Sequence, residues 1–113
     1  MLYLPRDSSM GFVTGATVAN MVCMAAARTA LLERAGWDVE ADGLFGAPPI
    51  NVVVSSEAHA SVHKALSLLG MGRDRVWRVP TDAQGRMKAS EVPHLDANTI
   101  LVLQAGNVNS GAF

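Results

Sequence analysis

The sequence holds a single cysteine and few charges. Of 113 residues only 17% are Asp, Glu, Lys or Arg, half are hydrophobic, and the mean hydropathy is +0.22. A solvated domain usually carries about a quarter charged residues, and small domains have the most surface per unit volume. So few charges on so short a chain imply that much of its surface is covered, by a partner or by the rest of something larger. The length itself fits one small domain and excludes a two-domain enzyme. The lone Cys23 can form no internal disulfide, which is compatible with a reducing compartment. Lying in an apolar run, it is expected to be a small buried hydrophobe. Nine Lys and Arg are scattered against ten Asp and Glu, for a net charge of −1. Without a basic face, binding to a nucleic-acid backbone is not expected. Long apolar runs are lacking too: the stretch from Ala16 to Ala27 contains Thr17 and Asn20 and stops at Arg28, too short to span a bilayer. Residues 1–10 have no basic region followed by an apolar one, so no signal peptide is expected. A soluble, cytoplasmic protein without membrane contact is the expectation.

What is present alternates. Residues 1–15 read as a loop broken by Pro5, Gly11 and Gly15. ATVANMVCMAAARTALLERAG predicts a helix of about 20 residues ended by Gly36, its first half apolar enough to be buried on several sides. Residues 37–49 read as a connection. Ile50–Val54 is a β-branched run without alternation, as in a strand covered on both faces. SSEAHASVHKALSLLG predicts a loop and a helix ending at Gly70, and Arg75–Val79 a short strand. TDAQGRM predicts a turn on Asp82, Gly85 and Arg86. Ser90–Leu95 predicts a short helix capped by Ser90 and limited by Pro93. Thr99–Leu103 predicts another buried strand, followed by a Gly- and Asn-rich loop. Trp37 and Trp77 are expected to pack. The order implies an α/β fold with a mainly parallel sheet and flanking helices, in which ligands bind outside the carboxyl ends of the strands.

Four features could carry chemistry. Thr14-Gly15-Ala16-Thr17 enters the long helix, where unpartnered N–H groups and the helix dipole favour an anion and Thr17 adds a hydroxyl. The same pattern also starts ordinary helices, and it is neither a Walker A loop nor a Gly-x-Gly-x-x-Gly turn. His59 stands at a strand-to-helix transition, where an imidazole can stack on a planar ligand or be satisfied locally. His59 and His63 share a helix face, but Ala60 stands where a zinc-protease pattern needs Glu, so no metal site is expected. Lys64 falls inside the helix and reads as solvated rather than as a Schiff-base former.

Four blocks in this order resemble the pyridoxal-phosphate-dependent decarboxylases of the group that includes aromatic amino-acid and glutamate decarboxylases (group II). GFVTGATVANMVCMAAAR is similar to the group's Gly-rich turn and long helix. VVVSSEAHASVHKALSLLGMG is similar to its strand, ring-stacking histidine and following helix. RVPTDAQGRM is similar to its Asp-x-x-Gly-Arg-Met turn, and ILVLQAGNVNSGAF to a strand and loop leading towards the cofactor.

The resemblance implies the large cofactor-binding domain of fold type I, of which residues 1–113 would be a part. It implies pyridoxal 5′-phosphate as cofactor, an amino acid as substrate, loss of carbon dioxide as the reaction and a homodimer as the full-length assembly. It assigns Ala16 and Thr17 to the cofactor phosphate, His59 to ring stacking and substrate positioning, and the Gly106–Gly111 loop, through Asn107, to the ring. The group's Schiff-base lysine follows a histidine in a later motif, so His63-Lys64 is not its equivalent. Without that lysine and the Asp that pairs with the pyridine nitrogen, the isolated chain is expected to be inactive. An aminotransferase or cysteine desulfurase-like enzyme of the same fold, and a non-catalytic remnant binding a phosphorylated ligand, are the alternatives.

Overall fold

The computed structural model describes residues 4–113. Residues 4–15 contain no helix or strand; Met1, Leu2 and Tyr3, the start of the expected opening loop, lie outside the described residues. Helix α1 then spans Ala16–Arg34. It ends where the sequence predicts: Gly36 takes a positive φ of 78°, and Gly36 N–H and Trp37 N–H donate to the carbonyls of Glu33 and Leu32. That pair of bonds closes the last turn, and glycine takes the left-handed position without steric penalty. Strand β1 (Asn51–Ser55) follows, then helix α3 (Ala60–Leu68), stopped by the same device at Gly70. Strand β2 (Trp77–Val79) and strand β3 (Thr99–Leu101) complete a parallel sheet in the order β2-β1-β3.

The valine run explains why β1 is central. Val52, Val53 and Val54 are all buried, and Val54 is fully so. Successive side chains of a strand point to opposite faces. Val52 and Val54 join Met24 of α1 and Val62, Ala65 and Leu66 of α3 in one core cluster. Both long helices therefore cover the same face of the sheet and set their N-terminal ends by its carboxyl edge.

Several expectations are corrected. α1 is not buried on several sides: only Met24 and Leu32 are buried along it, while Val22 and Cys23 are exposed. It packs through one face, and its apolar outer face has no further layer over it among the described residues. Trp77 is not a packing residue; it lies on an outer strand and is 60% exposed. β2 begins at Trp77 rather than Arg75, and β3 is half-buried and ends at Leu101. The capped helix from Ser90 is a single 3-10 turn, Ala89–Glu91, preceded by Lys88. Pro93 lacks an N–H and cannot continue it. Inside the connection stands one unforeseen turn of helix, α2 (Val39–Asp42), capped by Asp38, whose carboxylate accepts from Glu40 N–H and Ala41 N–H at 3.0 and 3.1 Å.

Candidate functional site

The parallel sheet sends all three strands in one direction, and two cavities open at their carboxyl ends. The smaller, of about 270 Å³, is bordered by Asn20 of α1, by Ser55 at the end of β1, by Ala58, His59 and Val62 where α3 begins, and by residues 102–105 after β3. The larger, of about 370 Å³, shares Ser55, Leu103 and Gln104 with it and extends to Asp82, Arg86 and Asn107. His59 and Asn107 thus stand on adjoining cavities with a common wall.

His59 is the N-cap of α3. Its Nδ1 accepts the backbone N–H of Ser61 at 3.2 Å and lies 2.8 Å from Ser61 Oγ. Capping by an imidazole satisfies one of the orphan donors of the first turn and anchors the ring at the cavity edge. Ser61 Oγ in turn accepts from Asn20 Nδ2 at 2.8 Å. Asn20 lies one helical turn beyond Ala16, so the opening of α1 and the ring of His59 are held in fixed relation.

Ala16 and Thr17 open α1. No side chain caps this helix, and the first bond of the turn runs from Ala19 N–H to Gly15 O at 3.0 Å. A Cβ placed on Gly15 would meet nothing within 4 Å. The N–H groups before that first bond have no intrahelical partner and no side-chain cap, a donor set suited to a phosphate. Ala16 and Thr17 border neither of the two cavities; the contact between α1 and the smaller one is made by Asn20.

Asn107 is engaged with its own loop. Its Oδ1 accepts from Asn109 N–H and Ser110 N–H at 2.9 and 3.1 Å, and its Nδ2 donates to Glu57 Oε2 at 3.4 Å. Asp82, Gly85 and Arg86 make the tight turn the sequence predicts. Asp82 accepts from the backbone N–H of Gln84 and Arg86 and from Arg86 Nε, at 2.7 Å for the last. The Arg86 backbone bond and then its guanidinium hold the Asp82 carboxyl down at about 2, below the usual carboxylate range.

The remaining candidates lie elsewhere. Lys64 and Lys88 are exposed, and neither borders the two cavities. His63 is half-buried and lies 3.3 Å from Arg78 through Nε2, and His94 borders a different cavity beside Pro93 and Trp77. Among the described residues no group of three metal-ligating side chains comes together, and no helix is long and apolar enough to cross a membrane.

Sequence reasoning missed Asn20, Ser61 and Glu57 as parts of this edge. Two of them leave a signal: a serine two places after an N-cap histidine, and an asparagine one turn into an otherwise apolar helix. Glu57 leaves none, because its partners Thr81 and Asn107 are far away in the chain.

No protein-family model matches the sequence. The chain is 37% identical over 81 residues to the acidic amino acid decarboxylase of Homo sapiens, covering 72% of this chain and 15% of that protein. It is 32% identical over 105 residues to the L-2,4-diaminobutyrate decarboxylase of Rhizobium meliloti, covering 93% of this chain and 18% of that protein. The crystal structure of mouse CSAD superposes with a TM-score of 0.63 at 34% identity, over 72% of this chain and 16% of that one. The chain thus spans less than a fifth of the length of the relatives it matches.

Proposed function

We propose, from the premise that this chain carries a segment of the group II pyridoxal-phosphate-dependent decarboxylase family, that it forms part of the cofactor-binding large domain of an amino-acid decarboxylase. One observation supports the reading above the others. His59, the first turns of α1 through Asn20, and the ends of β1 and β3 converge on one cavity at the carboxyl edge of a parallel sheet, where α/β proteins bind ligands.

The residues fit the cofactor at its phosphate end and its ring face. The uncapped first turn at Ala16 and Thr17 offers backbone donors, and the Thr17 hydroxyl adds another. His59 offers a flat imidazole, and Val62, Val102 and Ala105 an apolar wall. Asn107 organises the loop that walls the adjoining cavity. Bound pyridoxal 5′-phosphate supplies an electron sink for the charge left when carbon dioxide departs from an amino acid. The chain's own part is to bind and orient. With Lys64 and Lys88 away from the cavity, the covalent anchor comes from residues other than these. The lone cysteine accords with a cytoplasmic setting, and the exposed apolar side chains with assembly as a homodimer.

Titration of the chain with pyridoxal 5′-phosphate tests the reading. Binding without a borohydride-fixed adduct, weakened by Thr17→Ala, is expected. A covalent adduct at Lys64, or no binding at all, would overturn it. In the intact protein His59→Ala is expected to cut turnover sharply while the fold survives, and near-normal turnover would remove His59 from the site.

A further inference from the structure

Ser61 is buried, so its hydroxyl has to find its partners within the protein. It has two, each at 2.8 Å: Asn20 Nδ2 and His59 Nδ1. The direction of each bond follows from elementary donor and acceptor chemistry. A carboxamide nitrogen only donates, so Asn20 fills one acceptor position on Ser61 Oγ. The backbone N–H of Ser61 also only donates, and it points at His59 Nδ1. Nδ1 therefore carries no proton. The hydroxyl hydrogen of Ser61 then belongs on the line to Nδ1, and the relay runs one way, from Asn20 through Ser61 to His59. A neutral imidazole has one N–H, and here it is on Nε2.

We propose that Asn20 and Ser61 are positioning residues for His59, fixing the plane of the ring and adding the Ser61 hydroxyl as a second donor, beside the Ser61 backbone N–H, to Nδ1 of a ring whose proton is on Nε2. The free edge of the ring then offers a hydrogen-bond donor, and α1, whose first turn is read as the phosphate cradle, is locked to the ring through a single hydroxyl. The proposal rests on the functional reading above only for what lies against the ring; the proton's position is a property of the chain itself.

Nitrogen NMR of the chain labelled in histidine, without cofactor and at a pH well above the ordinary imidazole range, reads that position directly. Expected is a pyridine-type signal for His59 Nδ1 and a pyrrole-type signal for Nε2. Asn20→Asp keeps the shape but replaces a donor by an acceptor, which draws the Ser61 hydroxyl hydrogen away from Nδ1. With that donor withdrawn and the backbone N–H left, the His59 Nδ1 signal should move further into the pyridine range. Ser61→Ala leaves Nδ1 with the backbone N–H alone, so its signal should move further into the pyridine range. A wild-type proton on Nδ1 overturns the proposal. So does a folded Asn20→Asp chain whose His59 signals stay put, and, should that variant not fold, an unmoved Nδ1 signal in Ser61→Ala. Pyridoxal 5′-phosphate added afterwards separates the two claims. Several-fold weaker binding in Asn20→Asp is expected, whereas wild-type chain that binds none refutes the functional reading and leaves the proton's position as measured.

Discussion

Asn107 Nδ2 donates to Glu57 Oε2 across 3.4 Å, joining residues 50 apart in the chain. The other oxygen of the same carboxylate accepts from Thr81 Oγ1 at 3.0 Å. Glu57 follows β1, Thr81 follows β2 and Asn107 follows β3, so one side chain ties together the loops at the ends of all three strands. These bonds are exposed, and each is worth on the order of 0.5–1.5 kcal/mol. Their consequence is order at the cavity rather than global stability. Glu57→Ala is expected to speed hydrogen exchange and proteolysis in residues 104–113 while leaving α1 unchanged. Equal protection of that loop in both chains would show that the carboxylate does not hold it.

Gly85 is required by the same tie. Its φ is +77°, a left-handed conformation that costs an L-residue about 1–2 kcal/mol. A Cβ there would also run into Asn107 Nδ2 and come within 2.8 Å of Glu57 Oε2. Gly85→Ala should therefore lower the melting temperature and, unlike a simple backbone penalty, should also loosen the 104–113 loop. Gly85→Ala should cost less in an Asn107→Ala background than in the natural chain, because the obstacle is gone. An equal cost in both backgrounds would assign the whole effect to the backbone.

The Asp82 turn predicts a pH dependence. Its carboxyl is lowered from the ordinary 3.8 to about 2 by bonds from Arg86 and Gln84 that exist only in the folded chain. A depressed acid binds its proton less readily folded than unfolded. Its contribution to stability is thus complete above the unfolded value and fades as pH falls from about 4 through about 2. Asp96, lowered by the Thr99 hydroxyl and then by the Asn98 N–H, acts in the same direction. Thermal melts of Asp82→Asn across this window should fall less steeply than those of the natural chain. Parallel curves would place the acid sensitivity elsewhere.

Local signals carried most of the fold. The glycines after α1 and α3 mark the ends of both helices because positive φ at that position is a property of a single residue. The unbroken valines mark β1 as the covered strand for the same kind of reason. Exposure was less legible. The apolar residues of α1 predict burial, yet Val22 and Cys23 face outwards, since composition states that a surface wants cover and not whether these residues supply it. His59 was visible from its place after a strand. Asn20 reads from the sequence only as an interruption of an apolar run, because its bond to Ser61 spans 41 positions. Pairings at that separation have no periodicity to betray them.

The shortage of charge has a measurable counterpart on the surface. Phe12 is 99% exposed and Phe45 98%, and Phe113 and Val108 are nearly as open. β2 and β3 are the outer strands of a three-stranded sheet, each with one edge unpaired among the described residues. Such edges and aromatic side chains promote association unless something covers them. The chain on its own is therefore expected to self-associate as concentration rises, seen by light scattering as a mass that grows with concentration. Replacing Phe12 and Phe45 with serine should reduce that growth without changing helix content, because neither side chain belongs to the core around Leu66 and Val54. A natural chain that stays monomeric and unfolds in one cooperative step would mean that this surface needs no cover.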